Sequence, residues 1–152
     1  MTSAPEQATV VVGVKETGAS RAAIRLAARE ARYRGAELVA MMAYHGEPAL
    51  GAPAGRPLSV IHSADDGRAV AESALRVAVV DALGDQAQGV LLRTAPGLAG
   101  RTLVDTARMV GAQLIVLAGR GGGGDAPGSV SQYVLRRSPC PVLVVPAGGG
   151  TT

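Results

Sequence analysis

The sequence predicts an α/β fold: an open parallel sheet of five strands with four helices on its two faces. Three observations predict it. Short apolar runs such as Val10-Val11-Val12-Gly13-Val14 are continuous rather than alternating, as in strands buried on both faces. Stretches with three-and-four apolar spacing lie between successive runs, so strand and helix alternate strictly. Finally, 47% of the 152 residues are hydrophobic although the chain has no Phe, no Trp and three Tyr. The core is therefore built of Val, Leu, Ile, Ala and Met, which suits close packing of helices on a sheet.

The elements follow in order. Residues 1–9 read as a disordered lead, 10–146 as a single domain and 147–152 as a flexible tail. Strand one is the Val10 run. Lys15-Glu16-Thr17-Gly18-Ala19 is a turn, and Ser20 is placed to cap a helix carrying Ala23, Ile24, Ala27, Ala28 and Ala31 on its apolar face. Gly35 ends that helix. Arg21, Arg25, Arg29 and Arg32 fall on the opposite face and read as a solvated stripe. Glu37 to Ala43 is strand two, and a right-handed crossover makes it parallel to strand one.

The stretch from His45 to Ser63 is rich in Gly, Pro and Ala, and connections of that length are usually functional or mobile. His45 and His62 lie in it without partners at ligand spacing and read as exposed. Asp65 or Asp66 caps a second helix to about Leu83, with Val70, Ala74, Val77 and Ala78 predicted inward and Arg68, Glu72 and Arg76 outward. Gly89 to Thr94 is a strand candidate near a sheet edge, and Pro96-Gly97 a turn. A third helix covers about 99–110, with Leu103, Val104, Ala107 and Val110 on its apolar stripe and Gly111 after it. Strand four is Leu114-Ile115-Val116-Leu117-Ala118. A fourth helix covers about 129–136, with Val130, Val134 and Leu135 inward, and Pro139 marks its end. Strand five is Val142-Leu143-Val144-Val145, bounded by prolines.

Bulk properties exclude several classes of function. No apolar stretch approaches the ~20 residues that span a bilayer, and the first residues lack the basic region and apolar core of a signal peptide. A cytoplasmic protein with no membrane partner is expected. Net charge is +3, Lys15 is the only Lys, and aromatic residues for base stacking are almost absent, so no nucleic-acid partner is expected. Cys140 is the only cysteine, without metal-ligand spacing around it, and reads as a small half-buried residue. No metal site and no catalytic residues are expected.

One stretch points to a site. Strand four breaks into Gly119-Arg120-Gly121-Gly122-Gly123-Gly124-Asp125-Ala126-Pro127-Gly128-Ser129, a glycine-rich loop opening a helix, where backbone N–H groups and the helix N-terminus favour an anion. The loop has no lysine, so it is not a Walker loop, and the turn after strand one is not a dinucleotide fingerprint. Either the glycines let backbone approach a ligand, with Gly128-Ser129 donating, or they only permit a tight surface turn. With a strand order of 3-2-1-4-5, the order reverses between strands one and four, and Lys15 would face the loop across one crevice.

These residues resemble the universal stress protein family over nearly the whole chain. The similarity is carried by Val11-Val12-Gly13-Val14, Ser20-Arg21-Ala22-Ala23, Ala31-Arg32-Tyr33-Arg34-Gly35-Ala36, Leu114-Ile115-Val116-Leu117, Arg120-Gly121 and Gly128-Ser129-Val130-Ser131. Its most specific block is Pro139-Cys140-Pro141-Val142-Leu143-Val144-Val145-Pro146. The resemblance implies a Rossmann-like domain with strand order 3-2-1-4-5, commonly a homodimer, acting in stress response. One branch binds ATP or another adenine nucleotide, with Mg alongside it, and another does not.

Carried over by position, the nucleotide-binding residues would be Gly13, Val14 and Lys15 after strand one and Ala43 beside the adenine. Leu117, Ala118, Arg120 and Gly121 would surround the ribose and phosphates, and Gly128, Ser129, Val130 and Ser131 would stand at the helix start. The family's ATP pattern is Gly, two residues, Gly, nine residues, Gly, then Ser or Thr. Here Ala118 replaces the first glycine, and six residues separate Gly121 from Gly128. Nucleotide-binding members usually carry an Asp where this chain has Lys15. Lys15 would meet a phosphate, fill the adenosine space, or pair with Asp125 or Glu16.

Two readings follow: a regulatory adenine-nucleotide-binding domain, with hydrolysis slow or absent, and a nucleotide-independent dimeric module whose protomers pair along Val142, Leu143, Val144 and Val145. Either would work with a regulatory protein partner. A hydrolase or transferase acting from the 45–63 stretch would need catalytic partners that the sequence does not offer.

Overall fold

The computed structural model of the chain describes residues 7–15, 18–45, 64–119 and 128–146. Glu16, the 46–63 connection with His62, the loop from Arg120 to Pro127 with Gly121 and Asp125, and the 147–152 tail lie outside the described residues.

The elements alternate as β1 (Thr9–Gly13), α1 (Arg21–Arg34), β2 (Glu37–Tyr44), α2 (Ala64–Leu83), β3 (Leu91–Pro96), α3 (Ala99–Val110), β4 (Leu114–Ala118), α4 (Ser129–Arg137) and β5 (Val142–Val145). The five strands form one sheet in the order β3-β2-β1-β4-β5, and every neighbouring pair is parallel. The fold class and strand order are those the sequence predicts. The central pairing sets Val10 against Leu114, Val11 against Ile115 and Val12 against Val116.

Side chains alternate between two apolar layers, as the strand period of two requires. Val10, Val12, Leu38, Ala40, Met42, Leu114 and Val116 meet α1 and α2. Val11, Val39, Met41, Ile115 and Leu117 meet α3 and α4. Both central strands are therefore buried on both faces, which explains their unbroken β-branched composition. Gly35 and Gly111 end α1 and α3 in the left-handed conformation (φ 60° and 63°). The next amides then turn back, Ala36 N donating to Ala31 O (2.8 Å) and Ala112 N to Ala107 O (2.9 Å).

Several local expectations are corrected. β1 begins at Thr9, where Ala8 O already accepts from Glu37 N at 2.8 Å. The helix α2 begins at Ala64, so Asp65 and Asp66 lie inside its first turn instead of capping it. It is also rotated: Ala71, Leu75, Val79 and Ala82 are buried, whereas Val70 and Val77 are 63% and 65% exposed. Both stripes have helical spacing. The one that wins buries Leu75 and Val79 with Ala71 and Ala82, leaves the predicted Ala74 and Ala78 partly buried against the same core, and turns Asp81 toward Arg21, whose Nε donates to its carboxylate at 2.9 Å. Arg25 Nε reaches Ala82 O at 3.0 Å, so half of the arginine stripe ties α1 to α2 rather than facing water.

A 3-10 segment, Gly84–Gly89, intervenes before β3, which runs two residues later than predicted. In α4, Val134 is buried but Leu135 is half exposed, because so short a helix turns only one narrow stripe inward.

Candidate functional site

The first two crossovers, through α1 and α2, cover one face of the sheet, and the last two, through α3 and α4, cover the other. The direction of winding therefore changes between β1 and β4. At such a point the connections leave in opposite directions and a crevice opens at the carboxyl ends of the strands. A cleft of about 350 Å³, counting its open mouth, lies there, lined by Gly13, Val14, Lys15, Met41, Ala43, Ala99, Leu103, Leu117, Ala118 and Val130.

Strand β1 delivers Gly13 and Val14 to the cleft floor. Val14 N donates to Met41 O at 2.8 Å, which prolongs the sheet by one bond beyond the strand. The next amide, Lys15 N, donates to Ser20 Oγ at 2.9 Å. Ser20 was expected to cap α1. It occupies that position, but with helical backbone angles and no cap bond, and its buried hydroxyl instead closes the β1–α1 turn. The Lys15 side chain is exposed at the rim.

Close approach shapes the opposite wall. A Cβ on Gly13 would stand 3.0 Å from Leu103 Cδ2, so the glycine lets α3 settle over the end of β1. A Cβ on Gly100 would meet the Tyr133 side chain at 3.1–3.3 Å, so the first turn of α3 packs directly on α4. Gly119, leaving β4, donates to Val145 O at 2.6 Å. Its missing Cβ leaves room for Val144 Cγ1 at 3.2 Å.

Helices α3 and α4 both begin at this end of the sheet, and neither has a side-chain cap bond: their N-cap residues are Leu98 and Gly128. Gln132 N donates to Gly128 O at 2.9 Å, so the amides of Ser129, Val130 and Ser131 come before the first intrahelical donor. Their N–H groups and the helix dipole make that end attractive to an anion.

Of the positions singled out in the sequence, Gly13, Val14, Lys15, Ala43, Leu117, Ala118 and Val130 come together around the cleft. Gly128 and Ser129 stand at the start of α4, and Ser131 is buried beneath its first turn. Arg120 and Gly121 lie outside the described residues. Sequence reasoning missed Met41, Ala99 and Leu103. Met41 was within reach, since it lies two residues before Ala43 on one strand and shares its face. Ala99 and Leu103 arrive only through the placement of α3.

Elsewhere, Cys140 is half-buried, and its amide donates to Ser138 Oγ at 3.2 Å. His45 is exposed at the end of β2. Among the described residues no group of three His, Cys, Asp or Glu side chains is arranged to hold a metal, and no helix is long and apolar enough to cross a membrane.

Comparison with known proteins agrees with this geometry. Two curated universal stress proteins of Mycobacterium tuberculosis are 32% identical to the chain over 149 residues, covering 95% of it and 50% of each relative. The chain thus spans about half the length of the curated relatives it matches. Among solved structures, the universal stress protein UspA from Lactobacillus plantarum has a TM-score of 0.70 at 25% identity, covering 93% of this chain and 99% of that one. A universal stress protein in complex with cAMP has a TM-score of 0.60 at 26% identity, covering 94% of this chain and 99% of that one. The sequence profile of the universal stress protein family matches residues 8–146, and the chain belongs to that family.

Proposed function

We propose that this chain is a regulatory adenine-nucleotide-binding domain of the stress response, with slow or no hydrolysis. The observation that carries the reading is the cleft between the ends of β1 and β4, apolar on its walls and bordered by the uncapped start of α4 and by Lys15. An adenosine group suits such walls, since a flat apolar body gains from leaving water while a few polar groups orient it. The phosphate end then lies toward Ser129 and Val130, whose amides have no partner among the described residues. The structural relative solved with cAMP supports the ligand class. Mg accompanies a di- or triphosphate in this reading, and the protein acts in the cytoplasm on a regulatory protein partner.

Calorimetric titration of the full chain with ATP, ADP, AMP and cAMP tests it. Saturable binding of at least one is the expected result, and none at millimolar ligand would sink the reading. The chain has no Trp, so nucleotide carried through purification is also readable from the ultraviolet absorbance of a denatured extract.

A second reading, a nucleotide-independent homodimer, is favoured by β5. Val142, Leu143, Val144 and Val145 form an edge strand that is half-buried throughout, and an uncovered edge favours pairing with another chain. Light scattering at micromolar concentration is its test: a dimer is expected, and a monomer counts against it.

A further inference from the structure

The sheet has two edges, β5 and β3. At β3, Gly97 N donates to Tyr44 O at 2.9 Å, so the odd-numbered residues of this stretch turn their backbone groups toward β2. Alternate residues of a strand bond to opposite sides, so Leu92 and Thr94 turn their N–H and C=O groups outward, where none has a partner among the described residues. Pro96 holds the next outward position, where its missing N–H costs no ladder bond.

The two faces beside this edge differ in chemistry. Leu92 and Thr94 are in register with Ala40 and Met42 on the α2 face, and they share a hollow of about 710 Å³, counting its open mouth, with Arg68, Glu72 and Arg76. Arg68 Nε donates to Glu72 at 2.9 Å, while exposed Arg76 makes no ion pair among the described residues. On the α3 face Leu91 is 49% and Met109 71% exposed, and Arg93 Nη1 donates to Met109 Sδ at 3.2 Å. One face of the edge is therefore basic and the other mainly apolar.

We infer that the free edge of β3 takes an extended segment of a protein partner whose side chains alternate between acidic and apolar, added as a sixth strand. Side chains of such a strand go alternately to the two faces, so one set meets Arg76 and the other covers Leu91 and Met109. Outward N–H and C=O groups of Leu92 and Thr94 supply the main-chain bonds. A second copy fits this edge poorly, because its own arginines would stand against those already there, and like charges across a strand pair destabilise it. The edge is two strands away from β1 and the cleft, so the inference stands without the nucleotide reading.

The experiment is fluorescence anisotropy with a labelled octapeptide alternating glutamate and valine, and with the same peptide carrying lysine for glutamate. Each is titrated with the full chain, Arg76→Glu and Thr94→Pro. In the unmodified chain the glutamate peptide binds about tenfold more tightly than the lysine peptide, the range of a charge-assisted hydrogen bond. Arg76→Glu reverses that order, a result that misfolding cannot produce. Thr94→Pro removes an outward N–H without touching the ladder to β2, and it abolishes binding of the glutamate peptide. Equal affinity for the two peptides, no binding of either at millimolar concentration, or full binding by Thr94→Pro overturns the inference. So does a dimer in light scattering that Thr94→Pro converts to a monomer, because the edge then belongs to a second copy.

Discussion

The two ends of the sheet are built from the same strands and helices, yet they differ in chemistry. At the carboxyl end lies the cleft of about 350 Å³, met by the uncapped starts of α3 and α4 and by Lys15. At the amino end a wider hollow of about 890 Å³, counting its open mouth, lies between the last turns of α1 and α2, lined by residues such as Ala28, Ala36, Leu38 and Leu83, with Arg32, Glu37 and Gln86. Size alone would pick the wider hollow. Helix polarity picks the other, because a parallel α/β fold starts every helix at the carboxyl end of a strand and ends it at the amino end. Amide hydrogens converge on the cleft and carbonyl oxygens on the hollow, where Arg32 O and Ala31 O already accept bonds from Gly35 and Ala36. The hollow also carries both signs of charge, whereas the described walls of the cleft carry only a positive one.

The largest expected effect comes from filling each end in turn. Ala43→Phe places a ring in the cleft and abolishes AMP binding in calorimetry, while Ala36→Leu at the opposite end leaves AMP affinity unchanged. The reverse pattern would break the comparison. Next is the wall between α3 and α4. Gly100→Val drives a branched side chain into Tyr133, and overpacking of this kind costs about 1–3 kcal/mol. Thermal unfolding should show Tm lower by several degrees, with weaker AMP binding because Ala99 and Val130 move apart.

The smallest effect belongs to the α1–α2 layer, remote from the cleft. The Arg21 guanidinium, by its hydrogen bond and then its charge, holds the Asp81 carboxyl below its usual range. A depressed carboxylate contributes stability above its unfolded-state pKa and loses it as pH falls through the folded value. Asp81→Asn therefore lowers Tm slightly at pH 7, and the difference from the unmodified chain closes in acid. Both groups are exposed, so the shift is small. AMP affinity at pH 7 does not change, and a change would show that the two layers are coupled.

Much of this was legible in the chain. Val10-Val11-Val12 and Leu114-Ile115-Val116 are continuous apolar runs because both strands are covered on two faces, and that composition announces a central strand. Gly35 and Gly111 mark helix ends because left-handed backbone disfavours any residue with a Cβ. Gly13, Val14, Leu117 and Ala118, positions that the family resemblance singled out, line the cleft because they stand at strand ends beside the reversal of strand order. The rotation of α2 was not legible. Its Val70 and Val77 stripe and its Ala71, Leu75 and Val79 stripe have equal claims by spacing, and the choice between them depends on which set packs into the core formed by α1 and the sheet.

The sequence by itself determined the alternation of elements and the fold class, because apolar periodicity is a local property that each segment carries without its neighbours. Only the tertiary structure decided what closes the cleft. Leu103 and Ala99 reach it because Gly13 and Gly100 let α3 approach β1 and α4, and Ser20 turned from a helix cap into the bond that fixes Lys15 at the rim. These contacts join segments far apart in the chain or choose between two acceptable local bonds, and neither kind of choice leaves a periodic trace in a sequence.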